Sequence, residues 1–340
     1  MARSLDQDIP VNALTIEKRL ADIWREEGES EERAVTRAAL WNVVAHTWDA
    51  EQHAFATQVL GKASAAVPQR TIVIRADPDA EAELSSWISA NCHMLGDGRQ
   101  VCSEEVAIVA GGERVDHVPP LVASLLLPDM PVAVWWVGDL PTEQQDYVQT
   151  LLDPADRLIV DSSQFNSAAD YALVSQIAEK TITAPADLSW ARLDEWRAAT
   201  AALFDPPPMR ARLGAIENIR VLSGGGSSLG SLAEAVLYVS WLHAQTGREV
   251  PFELAGEGSE AGINAIEIHF DGSVATIRAD RERGVVIASD GTEQALDCIA
   301  RAGAHGLEDL IVRLLKRPEA DRVYIKALRL ARGVAERFAA

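Results

Sequence analysis

The chain predicts an α/β fold, a mostly parallel sheet flanked by helices, followed by an α+β domain with antiparallel strands. Three observations carry this. From residue 38 to 180, apolar strand-like runs alternate with helical stretches in units of about 30 residues, the pattern of a parallel sheet with helices on its faces. One run, Val132 to Val137, is unbroken and bounded by Pro128, Pro131 and Gly138, which fits a strand buried on both faces. After Gly247 the runs become short, β-branched or alternating, and are separated by Asp271-Gly272 and Asp290-Gly291; Asp-Gly is a hairpin signal.

In chain order, Ile16, Leu20, Ile23 and Trp24 place one apolar stripe on a helix over 12–27, expected to dock on its own domain. The acidic stretch Glu26 to Glu32 reads as a solvated linker. Ala38 to His46 predicts the first strand, with a helix open as the alternative. Residues 50–65 read as a helix, and Thr71-Ile72-Val73-Ile74 as a strand. Residues 84–94 fit either element. Glu105 to Ala110 is a strand stopped by Gly111-Gly112, and 119–127 a helix with Pro119 in its first turn. The Val132 strand follows, with Trp135 and Trp136 pointing to opposite faces. Trp135 is assigned to the core. A helix near 142–151, a strand Arg157 to Val160 and a helix over 167–180 complete this half.

Residues 182–187 mark a boundary. The expected domains are 1–34, a helix and acidic linker; 35–184, the α/β domain; and 185–340, the α+β domain. Asp187 is a good N-cap for a helix ending before Pro206-Pro207-Pro208, on which Arg192 and Trp196, four apart, are placed to stack. A strand over 218–222 runs into the glycine-rich turn 223–231 and a helix over 232–244. Runs at 250–254, 264–270, 273–279 and 284–288 are expected to be antiparallel strands. Helices near 306–317 and 321–338 close the chain, the last with an inward stripe of Val323, Ala327, Leu330, Val334 and Phe338.

The net charge of −20 argues against DNA, RNA or an anionic membrane as partner, since phosphate binding needs a positive face. The exception is 313–337, where eight Lys or Arg face three acids, a solvated helix face or a docking patch for an acidic partner. No run is long and apolar enough to span a membrane and no signal peptide is recognised, so a cytoplasmic protein is expected.

Chemistry is sparse. The turn at 223–231 lies between a strand and a helix, where amides can hold a phosphate, and Gly224, Gly225, Gly226, Ser227 and Ser228 are the candidates. It lacks the third glycine of a dinucleotide fingerprint and the Gly-Lys of a P-loop. The seven histidines and three cysteines form no metal-ligand spacing, and no cofactor is expected. The cysteines show no paired spacing and predict no disulfide framework; redox activity at Cys92 or Cys102 is left open. There is no Gly-x-Ser-x-Gly elbow. Nothing in the pattern requires an enzyme.

Several stretches together resemble the OpcA family, the glucose-6-phosphate dehydrogenase assembly proteins. They are Arg70-Thr-Ile-Val73; Cys102-Ser-Glu-Glu105; Leu127-Pro-Asp-Met-Pro-Val132 with Trp135-Trp136 and Gly138-Asp139; Asp161-Ser-Ser163; Asp187-Leu-Ser-Trp-Ala-Arg-Leu193 with Trp196-Arg197 and Phe204-Asp205; and Val239-Ser-Trp-Leu242. The resemblance implies a non-catalytic cytoplasmic protein that binds glucose-6-phosphate dehydrogenase and promotes its active oligomer or activates it allosterically, supporting the oxidative pentose phosphate pathway. On that expectation the candidate contacts are Asp129, Trp136, Asp139, Arg192, Trp196 and Arg197, Trp and Arg being enriched at interface hot spots. The alternative is a sugar-phosphate-binding enzyme or sensor built on the glycine-rich turn.

Overall fold

A computed structural model describes residues 3–5, 11–28, 35–94, 100–140, 145–226, 228–256, 262–291, 298–301 and 306–338. The acidic linker beyond Gly28 and Ser227 lie outside these. In chain order the elements are β1 (Arg3–Leu5), α1 (Ala13–Gly28), β2 (Val35–Arg37), β3 (Trp41–Thr47), α2 (Ala50–Ala63), β4 (Gln69–Asp77), β5 (Glu83–Met94), β6 (Gln100–Gly111), α3 (Val118–Leu125), β7 (Val132–Trp136), α4 (Gln145–Leu152), β8 (Arg157–Val160), α5 (Ala168–Lys180), β9 (Ala184–Asp187), α6 (Leu188–Arg192), α7 (Asp194–Phe204), α8 (Pro207–Arg210), β10 (Asn218–Gly224), α9 (Ala233–Thr246), β11 (Phe252–Gly256), β12 (Gly262–Phe270), β13 (Ser273–Asp280), β14 (Val285–Ser289), β15 (Cys298–Arg301), α10 (Leu307–Leu315) and α11 (Arg322–Phe338). The chain forms two compact units. One comprises residues 1–160, 182–184 and 307–319, the other 161–181, 185–306 and 320–340.

In the first unit the sheet order is β1-β5-β6-β4-β3-β7-β8, with β9 after β8 and β2 paired to β6. Strands β6, β4, β3, β7 and β8 are parallel. The chain moves outward from β3 through β4 to β6, then returns to the other side of β3 at β7, so the winding reverses between β3 and β7. Both strands are buried at every position, as centre strands covered on two faces must be. The stripe of α1 is buried through Ile16, Leu20 and Ile23, as its spacing requires. Arg157, at the start of β8, donates to the carbonyls of Leu314, Arg317 and Glu319 at 3.1, 2.6 and 3.0 Å, placing a cation at the negative end of α10.

The ambiguous stretch 84–94 is strand β5. It pairs antiparallel with β6 from Glu83↔Gly111 to Met94↔Gln100 and stands where a crossover helix usually links parallel neighbours such as β4 and β6. This hairpin sets Cys92 opposite Cys102 with Cα atoms 4.0 Å apart, and a disulfide joins them. The linear spacing does not show this pairing; strand register creates it.

In the second unit the sheet order is β11-β10-β12-β13-β14-β15. The strands are antiparallel except β10 and β11, which are parallel. The pattern at 250–254 predicts an antiparallel strand, and here the structure differs. The crossover helix α9 returns the chain to the end where β10 began, and that makes β11 parallel. Strand β15 was not expected from its pattern. The last helix buries Tyr324, Ala327, Leu328, Ala331, Val334 and Ala335, while Val323 and Leu330 are exposed. The buried stripe is thus rotated from the predicted one: alanines let α11 approach α9 and α5, and Tyr324 takes the inward place predicted for Val323.

Candidate functional site

At the amino ends of the central strands, Arg70 opens the β-branched run of β4 and is 1% exposed. A cation there is tolerated only if paired and hydrogen-bonded. Its Nε donates to Glu104 at 2.8 Å, its Nη1 to the Leu125 carbonyl at 2.6 Å, and it forms an ion pair with Glu17 of α1. Glu104 also receives Arg37 at 2.6 Å and the indole N–H of Trp24. Beside this network Asn42 holds the Leu127–Met130 loop. Its Nδ2 donates to the carbonyls of Leu127 and Met130 at 3.0 and 3.2 Å, and its Oδ1 accepts from Leu127 N at 2.8 Å. Asp129, at the exposed tip of that loop, has φ 63°, a left-handed conformation. A cavity of about 320 Å³ lies between the loop and the Arg70–Glu104 pair.

At the carboxyl ends, the reversal between β3 and β7 is where an open parallel sheet forms its ligand crevice. Here side chains fill it. His46 is fully buried and stacks on Trp136, with ring centroids 4.0 Å apart and planes 13° apart. Trp48 meets both rings edge-on, and Tyr147 meets His46 edge-on. The indole N–H groups of Trp136 and Trp48 both donate to the Asp139 carbonyl, at 2.9 and 3.2 Å. Burial pushes the His46 imidazole down to about 3, so it is neutral at ordinary pH. The turn after β3 is Thr47-Trp48-Asp49 rather than glycine-rich. The Asp49 carboxylate caps α2 through Gln52 N at 2.8 Å and places a negative charge where a pyrophosphate would sit.

In the second unit, two stretches far apart in sequence meet. Asp161, 8% exposed at the end of β8, accepts from Arg192 on both carboxylate oxygens, from Ser163 Oγ at 2.7 Å and from Ser189 Oγ at 2.9 Å. Asp187, fully buried, accepts from Ser162 N at 3.2 Å, Ser189 N at 2.8 Å and Tyr324 Oη at 3.3 Å. Burial and then the Asp161 charge push its carboxyl up to about 6. Asp161 itself is held low despite burial, because Arg192 and the serine hydroxyls favour its charged form.

The glycine-rich turn packs on this cluster. A Cβ at Gly230 would lie 2.1 Å from the Ser163 carbonyl, so only glycine fits. Gly224 ends β10, and Gly225 and Gly226 have φ of 87° and 118°. Ser228 Oγ accepts from Ser231 N at 3.2 Å. Glu234, in the first turn of α9, puts a half-buried carboxyl beside this turn and accepts from Ile263 N at 3.3 Å. A carboxyl there competes with a phosphate for the same donors.

Of the six contact candidates, Asp129 and Asp139 are exposed, whereas Trp136 and Trp196 are 1% and 7% exposed. Arg192 is held by Asp161. The expected stacking of Arg192 on Trp196 is replaced by Arg197 over the Trp190 ring at 3.4 Å, because the helix breaks at Leu193 between α6 and α7 and the four-residue spacing no longer defines one face. Arg70 and Glu104 lie in the family-like stretches but carry no role legible in the sequence, and Asn42 and His46 are site residues that no motif marks. The available signal was a polar residue inside or opening an otherwise apolar strand. The serines of the Asp161 cluster bond carboxylates and have no histidine base among them. Among the described residues no group of His, Cys, Asp or Glu could hold a metal ion, and no helix is long and apolar enough to cross a membrane.

Residues 61–176 match the family described as glucose-6-phosphate dehydrogenase subunit N-terminal domain, and 183–328 the corresponding C-terminal domain. The chain is 30% identical over 182 residues to the OxPP cycle protein OpcA of Synechocystis sp., covering 53% of this chain and 37% of that protein. It is 29% identical over 202 residues to its namesake in Synechococcus elongatus, covering 59% of this chain and 44% of that one. The match thus spans less than half the length of these relatives. In fold it is similar to the super-repressor mutant of Gal80p from Saccharomyces cerevisiae, with a TM-score of 0.50 and 9% identity over 88% of this chain and 95% of that one.

Proposed function

The chain belongs to the OpcA family of glucose-6-phosphate dehydrogenase assembly proteins, and from that premise we propose that it is a non-catalytic activator of that dehydrogenase. The observation that carries the reading is the filled crevice between β3 and β7. A sheet wound as in dinucleotide enzymes has Trp48, Trp136 and His46 where the cofactor would lie, and an aspartate capping the helix that would face its phosphates. Such a fold keeps its surface and loses its cofactor, which suits a partner rather than a catalyst. Activation is then a population shift: binding the active oligomer better than the inactive form favours it, by no more than the difference in affinity. The exposed carboxylates Asp129 and Asp139 are the direct contacts in this reading. Trp136 is a positioning residue, since its indole N–H holds the Asp139 carbonyl.

The test titrates glucose-6-phosphate dehydrogenase with the full chain while velocity and mass are followed together. A lower substrate requirement or a larger oligomer, saturating at a fixed ratio, is expected. No change in either removes the proposal. The packing of Gly230 and the carboxyl of Glu234 weigh against phosphate binding at the glycine-rich turn, and calorimetry with glucose 6-phosphate checks that separately.

A further inference from the structure

The chain passes from β4 to β6 through strand β5 instead of a helix, so among the described residues no crossover helix covers the β5–β6 surface beside α2. A cavity of about 710 Å³ lies there, within the range of roughly 300–1,000 Å³ typical of small-molecule sites. Strands β5 and β6 contribute Trp87, Asn91 and Glu105, while α2 contributes His53, Thr57 and Lys62. Glu105 is 9% exposed. Its carboxyl accepts from Ser89 Oγ at 3.1 Å on one oxygen and from Asn91 Nδ2 at 3.3 Å on the other, which leaves each oxygen a further lone pair. Thr57 Oγ1 and His53 Nδ1 are buried and find no hydrogen-bond partner among the described residues. Unpaired buried groups are costly. Both residues line the cavity, and a rotation of either side chain toward it would let a ligand bond that group and remove the cost.

The charges select the class of ligand. An anion would meet Glu105. A cation would meet Lys62, which lines the cavity and which Glu308 holds only at 3.7 Å. An uncharged ligand avoids both. Thr57, Gln58, Asn91 and His53 each offer donor or acceptor capacity, which hydroxyl groups match because they donate and accept at one atom. Trp87 adds an apolar platform for a ring. We propose that this cavity binds a neutral cyclic polyol of hexose size.

Calorimetry and saturation-transfer NMR on the full chain, with D-glucose and myo-inositol as probes and glucose 6-phosphate and arginine as charged comparisons, test this. A Cβ at Gly61 would lie 3.9 Å from Asn91 Nδ2, so Gly61→Leu reaches across the cavity, and leucine suits a helix interior better than glycine. Thr57→Val removes the unpaired hydroxyl at constant shape and provides a second reading should Gly61→Leu fail to fold. Saturable binding of a neutral probe, weakened at least about tenfold in whichever of these variants folds, is the expected result. No saturation by either neutral probe up to about 100 mM, undiminished binding in the folded variants, or tighter binding of a charged comparison would each overturn the proposal. None of these outcomes depends on whether the dehydrogenase is activated.

Discussion

Asp161 and Arg192, 31 residues apart, form a two-pronged ion pair: Nη1 donates to Oδ1 at 2.9 Å and Nη2 to Oδ2 at 2.8 Å. The pair joins the 161–163 stretch to the end of α6. Removing one partner leaves the other largely desolvated. Arg192→Ala is therefore expected to cost about 2–3 kcal/mol, below the roughly 3–5 of a fully buried pair because the guanidinium side chain is 31% exposed. Urea unfolding measures it. A loss under about 0.5 kcal/mol would show the pair to be as weak as a surface bridge.

Asp187 predicts an inverse pH effect. Its folded carboxyl, at about 6, lies above the ordinary unfolded value near 4, so the folded state holds the proton more tightly. This group's contribution is fully present below pH ~4 and lost as pH rises through about 6, on the order of 3 kcal/mol in all at about 1.4 per pH unit. Asp161, held low, acts oppositely and contributes stability that is lost as pH falls. Asp187→Asn keeps an acceptor for Ser189 N and should remove the decline between pH 4 and 6.5. Unfolding midpoints across that window, unchanged in shape by the substitution, would contradict the assignment.

Gly230→Ala places a methyl group against the Ser163 carbonyl, and overpacking of this kind costs about 1–3 kcal/mol. Gly214→Ala, where nothing lies within 4 Å of the new Cβ, is the matched control. Thermal unfolding should separate the two. Equal melting temperatures would mean that the turn moves freely off the Asp161 stretch.

The Cys92–Cys102 bridge spans 10 residues, and closing so short a loop in the unfolded chain is worth about 2–3 kcal/mol. Dithiothreitol should lower the urea midpoint by a corresponding amount. The double variant Cys92→Ser, Cys102→Ser should already lie at the lower midpoint and no longer respond to reductant. A wild-type midpoint insensitive to reductant would show that the bridge adds no stability.

Asp129→Gly separates folding from binding. Glycine adopts φ 63° without the penalty an L side chain carries, so stability should rise by up to about 1 kcal/mol. Loss of the carboxylate should weaken binding to the dehydrogenase at the same time. Affinity equal to wild type in a more stable variant would exclude Asp129 as a contact.

The sequence by itself determined where most of the longer strands and helices lie, that Val132–Trp136 is a central strand and that Asp187 caps a helix. These follow from periodicity, prolines, Asp-Gly turns and cap residues, all of which act within a few positions of the chain. The tertiary structure decided the rest. Arg70 finds Glu104, 34 residues away, and Cys92 finds Cys102, because particular strands become neighbours in a particular register. Trp136 and Trp196 looked like surface anchors by residue type, but packing buries them. The parallel direction of β11 depends on the α9 crossover, and the 710 Å³ cavity on a missing crossover helix. Local backbone preferences are set by adjacent residues. Pairing, burial and cavities arise only when distant segments share space, and no short-range pattern encodes which segments those will be.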